Sequence, residues 1–379
     1  MKKLHVAVLS LTIILVLLFF SKDHTLLLPP QEPASPFEEL THKKPEKIEE
    51  KPRLTLPEAI DKIDRINLRE IVEYLASNEL EGRMSGKKGN KLAADYIKKK
   101  FESFQLPTEF DKFSIRRVNP GPKNEIGDDF TQNIYAWIEG NDPVLKDEIV
   151  VIGAHMDHIG YGPAYSRTGG GRIHNGADDN ASGTAALIEM AEAFVAMKGQ
   201  NKRTVVLMAF SAEEMGLKGS VHYVNNPKFP KGNPDINKHI FMLNMDMIGY
   251  LGKTKSTVFN DGSSSPDVGF IIKQLSEKYS FAKSVTIRGS GGSDHTPFYN
   301  KKIPVAFLHT GLHDYYHTPK DTAEKINYDG LQKVARYGFE LAWNVCNAVE
   351  RVEFNYGAFS ELDYNHDHGQ KDISNEGNP

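Results

Sequence analysis

Four short apolar runs restrict the fold of this 379-residue chain more than any other feature: Val150-Val-Ile-Gly-Ala154, Thr204-Val-Val-Leu-Met-Ala-Phe210, Ile240-Phe-Met-Leu243 and Val305-Ala-Phe-Leu308. Each has the length and β-branched content of a buried strand, and Asn133-Ile-Tyr-Ala-Trp137 adds a fifth strand-like run. Between and around them the periodicity is helical, over Leu68 to Leu75, Leu92 to Phe101, Ser182 to Met197, Val268 to Tyr279 and Tyr328 to Val349. Strands separated by helices form crossover units. The expected fold is therefore α/β: a mixed, mostly parallel central sheet flanked by helices on both faces, in a single domain spanning 57–353.

The ends read differently. Lys2 and Lys3 precede an uncharged apolar run from Leu4 to Phe20, the layout of a signal peptide or membrane anchor over 1–21. The next stretch, 22–56, is rich in Pro, Glu and Lys and reads as a disordered linker. A flexible polar tail is expected over 354–379. An exported protein is expected, periplasmic or extracellular, touching a membrane only through its first residues. The net charge of −4, with no basic stripe, argues against nucleic acid as a partner. With one cysteine, Cys346, the chain can form neither an internal disulfide nor a cysteine metal site, so any metal must sit on His, Asp and Glu.

Sheets of this kind bind ligands beyond the carboxyl ends of their strands. The four apolar runs are followed there by His155-Met-Asp157-His158, by Ser211-Ala-Glu213-Glu214, by Asn244-Met-Asp246, and by His309 with Asp314-Tyr-Tyr316-His317. Taken singly, each group has an ordinary reading: Asp179 or Asn180 suits a helix N-cap, Glu213-Glu214 an exposed helix start, His317 a structural histidine. Together with the Gly-rich loop Asn175-Gly-Ala-Asp178-Asp179-Asn180-Ala-Ser-Gly183 they supply imidazoles and carboxylates in the proportions of a two-metal hydrolase.

The ordered set His155-x-Asp157, Gly176-Ala-Asp178-Asp179-Asn180-x-Ser182-Gly183, Glu213-Glu214-x-Gly216, Asn244-x-Asp246, Ser293-Asp294-His295 and Tyr316-His317-Thr318 resembles the zinc aminopeptidases related to aminopeptidase Y and glutamate carboxypeptidase. Leu80-Glu-Gly-Arg83 is similar to that family's N-terminal segment. The resemblance covers about Leu68 to Ala335. It implies a zinc-dependent exopeptidase fold of the phosphorylase/hydrolase-like kind and two Zn2+ per chain. Position by position it implies Asp178 as the bridging ligand, followed by a cis Asp178-Asp179 bond. His155 and Asp246 complete one metal site, and Glu214 and His317 the other. Glu213 is the implied general base and Tyr316 an oxyanion-binding residue, with Asp157, Asp179 and Asp294 supporting the ligands from behind.

The activity so implied is removal of N-terminal residues from peptides with free N-termini, by a metal-activated water whose proton passes to Glu213. Three rivals share the fold or the metal set: a glutaminyl cyclase, a dipeptidase or carboxypeptidase, and a non-catalytic ectodomain. The paired Glu213-Glu214 favours hydrolysis over cyclisation, and the complete ligand set speaks against the silent ectodomain. Manganese or cobalt would also suit such donors. The segment from Phe113 to Asn133 is too short for an inserted domain, which leaves the loops Tyr161–His174 and Gly289–Ser293 to frame the cleft.

Overall fold

The computed structural model describes residues 53–115, 129–162, 166–253, 258–260, 263–281, 284–285 and 292–358. The apolar N-terminal run, the Pro/Glu/Lys-rich stretch up to residue 52, the tail beyond residue 358 and most of the Gly289–Ser293 loop lie outside them. No helix among the described residues is long and apolar enough to cross a membrane.

Among the described residues eight strands form one sheet: β1 (Thr108–Ser114), β2 (Phe130–Ile138), β3 (Ile149–His155), β4 (Thr204–Phe210), β5 (His239–Met245), β6 (Val258–Asn260), β7 (Ser284–Val285) and β8 (Val305–His309). Their order across the sheet is β1-β2-β4-β3-β5-β8-β6-β7. The middle four, β4-β3-β5-β8, run parallel, while β1, β2 and the β6–β8 pairing are antiparallel. The sheet is thus mixed with a parallel centre, as the sequence implies.

The helices are α1 (Leu56–Ile60), α2 (Arg65–Leu75), α3 (Lys88–Ser103), α4 (Gly183–Ala196), α5 (Lys218–Asn225), α6 (Pro266–Lys278), α7 (His295–Asn300) and α8 (Tyr328–Asn347). Alternate side chains of β3 show how they are layered, because successive residues of a strand point to opposite faces. Val150, Ile152 and Ala154 enter a core with α4 and α8, including Leu187, Phe194, Val334 and Phe339. Ile149 and Val151 enter a second core with Tyr223 of α5 and Phe298 of α7. β3 is buried on both faces for its whole length, which is why its sequence is continuously apolar.

The register decides where the chemistry lies. Ala154 and His155 of β3 stand opposite Ala209 and Phe210 of β4, and Gly153 stands opposite Asn244 of β5, itself opposite Phe307 of β8. The loops leaving these four strands therefore emerge side by side at one rim.

Candidate metal centre

The Gly-rich loop is the keystone of that rim. It forms a tight π-type turn, Ala177–Ser182, before α4, and the backbone leaves helical conformation at Asp179 and Asn180. Its polar side chains bond to neighbouring loops. Asn180 Nδ2 donates to the carbonyl of Met245 at 2.9 Å, and Thr184 Oγ1 donates to that of His155 at 2.8 Å. Ser182 Oγ donates to the Asp178 carbonyl at 2.7 Å and accepts from the Ile248 amide at 3.1 Å. Gly183 is required by proximity, since a Cβ there would stand 2.3 Å from the Met245 carbonyl oxygen.

Arg83 ties the rim together from below. Its buried guanidinium donates to the carbonyls of Met156 (2.9 Å), Asn175 (2.7 Å) and Gly176 (2.8 Å), and also to that of Leu75. Burial lowers its pKa to about 10, partly offset by Asp179 and Asp321, so it stays charged at neutral pH. The Leu80-Glu-Gly-Arg83 segment thus acts as a clamp on the loops that carry His155 and Asp179.

Among the described residues, two clusters of donor atoms converge at this rim, the atoms within each lying within 4.8 Å of one another: His158, Asp179, Glu214 and His317 in one, and His155, Glu213 and Asp246 in the other. Asp179 joins them. Its Oδ1 lies 3.5 Å from His155 Nε2, while its Oδ2 lies 3.1 Å from His317 Nε2 and 3.5 Å from His158 Nδ1. His155 Nε2 is 3.2 Å from Asp246 Oδ1, and His317 Nε2 is 3.2 Å from Glu214 Oε2.

Asp178, expected from the resemblance as the bridging ligand, stands outside both clusters. Its Oδ1 accepts the Gly249 amide at 2.6 Å and its Oδ2 faces His313 Nε2 at 3.1 Å. The non-helical backbone at Asp179 and Asn180 turns adjacent side chains apart, and Asp179 takes the central position. The cis peptide is likewise one residue further on, at Asp179-Asn180 rather than Asp178-Asp179.

The other expected residues fall as follows. Tyr316 stacks on the His317 ring at 3.9 Å. Burial, and then the charges of Asp179, Glu214 and Glu213, push its hydroxyl well above the usual phenol range. Asp157 supports the site through its main chain as well as its side chain. The Nδ1 of His155 bonds the main-chain oxygen of Asp157 at 3.2 Å, with the carboxylate 3.9 Å away. That carboxylate instead accepts the Glu213 amide at 3.2 Å. Asp294 is fully buried at the start of α7, and burial raises its carboxyl to about 7 against the pull of His155.

Three further residues contribute: Ser293, from the Ser293-Asp294-His295 motif, and Asp321 and His158, to which sequence reasoning assigned no role. Ser293 Oγ donates to Asp246 Oδ2 at 2.8 Å and accepts from Asn244 Nδ2 at 2.7 Å, fixing that carboxylate. Asp321 accepts the amides of Asp178 and Asp179, at 3.0 and 3.1 Å. His158 approaches Glu214 Oε1 at 2.9 Å through Nδ1. The adjacency of His158 to His155-x-Asp157 is the one signal that marks it in sequence.

Electrostatically these donors suit a divalent cation. Burial alone would lower the pKa of His317, yet Glu214 and Asp179 push it up to about 11. For Asp246, burial alone would raise the carboxyl, yet His155 holds it at about 2. A pocket that attracts a proton this strongly also attracts a metal ion in its place. An all-N/O set of imidazoles and carboxylates is a zinc-type donor set.

The family comparison agrees with the geometry. The model of peptidase family M28 matches residues 133–342, and the chain belongs to that family. Aminopeptidase YwaD of Bacillus subtilis is 26% identical over 292 residues, covering 74% of this chain and 58% of its own length. The chain spans about half the length of the first relatives it matches. A zinc aminopeptidase structure from Bacillus subtilis superposes with a TM-score of 0.60 at 18% identity, over 74% of this chain and 95% of that one. Porphyromonas gingivalis glutaminyl cyclase gives 0.59 at 18%, over 73% and 97%. At such identities these likenesses establish the fold, which the aminopeptidase and the cyclase have in common.

Proposed function

We propose that the chain is a zinc-dependent aminopeptidase that holds two ions and releases N-terminal residues from peptides. The observation that carries this reading is the placement of Asp179, with one carboxylate oxygen toward His155 and the other toward His317. In this reading His155 and Asp246 hold one ion, Glu214 and His317 the other, and Asp179 serves both. Zinc pairs of this kind lower the pKa of a shared water and polarise a carbonyl.

The protein's own groups do the rest. Glu213 sits in the His155/Asp246 cluster, and its amide is fixed by Asp157. It is the candidate base that takes the water's proton and delivers it to the leaving amine. Tyr316, stacked on His317 and kept as a neutral phenol by burial and the surrounding carboxylates, is the candidate donor to the oxyanion. The relatives' aminopeptidase names support the same activity, as does the pairing of Glu213 with Glu214.

The test is a release assay over a panel of aminoacyl substrates and their N-acetylated forms, with zinc stripped and restored. Release that depends on a free N-terminus, disappears with the metal and returns with it is the expected result. Cyclisation of an N-terminal glutamine without amino-acid release would assign the chain to the cyclase reading instead. We further propose export, with the apolar run Leu4–Phe20 as the targeting or anchoring segment; fractionation of expressing cells tests it.

A further inference from the structure

His158 takes no part in the roles assigned above, yet it is 1% exposed and lies at the heart of the centre. Its Nδ1 stands 2.9 Å from Glu214 Oε1 and 3.5 Å from Asp179 Oδ2, while its Nε2 is buried with no hydrogen-bond partner among the described residues. The ring is fixed in place. It packs edge-on to His317, with centroids 5.6 Å apart, and Gly176 leaves it room, since a Cβ there would come within 2.5 Å of the His158 Cγ.

An imidazole so placed has two possible duties. If Nδ1 gave its lone pair to an ion, the ring proton would sit on Nε2, a buried donor with nothing to accept it. Leaving such a donor unpaired forfeits its hydrogen bond to water with nothing in return. Ligating imidazoles nearly always donate through their second nitrogen. His155 has that arrangement, with Nε2 toward Asp246 and Asp179 and Nδ1 bonded to the Asp157 main-chain oxygen. His158 has the reverse. An unpaired lone pair on Nε2 costs less than an unpaired N–H, so the proton belongs on Nδ1, facing Glu214.

We propose that His158 is a positioning residue: its Nδ1–H donates to Glu214 Oε1 and leaves Oε2 as the oxygen turned toward the His317 side. Glu214 Oε2 does lie on that side, 3.2 Å from His317 Nε2. The inference rests on the reading of Glu214 as a metal ligand. It adds a residue outside the five implied ligands, and it predicts that the imidazole serves through a hydrogen bond rather than through coordination.

Asparagine and glutamine separate these duties, because the Asn amide can place N–H near the Nδ1 position, whereas the longer Gln places it near Nε2. Zinc affinity is measured by competition with a chelator on the full chain, and the visible spectrum is recorded with Co2+ in place of zinc. Circular dichroism confirms that each variant folds. For His158→Gln, one ion should bind 10- to 100-fold more weakly, the range for loss of an outer-sphere partner. His158→Asn should stay within a few-fold of the parent and keep the parent's Co2+ spectrum. Equal weakening in both variants, with an altered Co2+ spectrum in His158→Asn, would make His158 a ligand and overturn the proposal. Unchanged affinity in His158→Gln would overturn it too. Glu214→Ala is the control for the underlying reading: if it holds both ions at parental affinity, the ligand assignment fails, and the role of His158 fails with it.

Discussion

Asp178 and Asp179 are neighbours in the chain and turn their carboxylates to different partners. Asp178 caps the Gly249 amide and meets His313, whereas Asp179 spans His155 and His317. Substitution should therefore have unequal effects. If the chain holds two ions as proposed, Asp179→Asn should lower the zinc content to one or none, because one residue serves both clusters. Asp178→Asn keeps an oxygen for the Gly249 amide and should retain both ions. Elemental analysis of the purified proteins distinguishes the two; equal loss of zinc would show that the loop acts only as a unit.

Removing the proposed base tests the chemistry apart from the metal. Glu213→Gln preserves shape and should keep zinc and fold while lowering kcat by about 100- to 10,000-fold, the usual contribution of a general base. Near-normal turnover on aminoacyl substrates would exclude Glu213 from that role.

Much of this was legible before the structure. The central strands could be read because β3, β4, β5 and β8 are buried and their runs are unbroken by charge. Their C-terminal ends announced the donors because a parallel sheet gathers such ends at one rim. The edge was harder to see: β1, Thr-Glu-Phe-Asp-Lys-Phe-Ser, alternates with charge and faces solvent with much of its length. Which of two adjacent aspartates is central could not be settled from spacing, because the choice depends on the backbone dihedrals of Asp179 and Asn180. His158 was visible as a residue but not as a partner of Glu214, 56 residues away.

Arg83 offers a stability test at the base of the rim. Its guanidinium supplies several hydrogen bonds to main-chain carbonyls of the surrounding loops. Arg83→Lys keeps the charge but not the fork, and should cost about 3 kcal/mol or more, since bonds to a charged donor contribute roughly 1.5–3 kcal/mol each. A urea titration reads this as a lower midpoint. A shift below a tenth of the parent's midpoint would mean that the loops hold without the clamp.

Glu189 on α4 gives a pH signature of its own. It accepts the Asp64 amide at 3.0 Å, and burial raises its carboxyl from the ordinary 4.5 to about 7. Between those values the folded chain keeps a proton that the unfolded chain releases, so the group's contribution to stability falls as pH rises from about 4.5 to 7. The full shift corresponds to about 3 kcal/mol. Glu189→Gln retains an acceptor and cannot ionise. Its Tm should exceed the parent's by several degrees at pH 8 and match it at pH 4. Parallel Tm profiles for the two proteins across that range would remove Glu189 as the cause.

The donors at the rim are drawn from segments between His155 and His317, and the central strand β3 precedes most of them in the chain. No early portion of the polypeptide therefore contains a complete binding centre. During synthesis, the cluster of His155, Glu213 and Asp246 can assemble only after β5 has emerged, and the cluster that includes His317 only later still. If the chain is exported as proposed, the ion supply that matters is that of the compartment it arrives in.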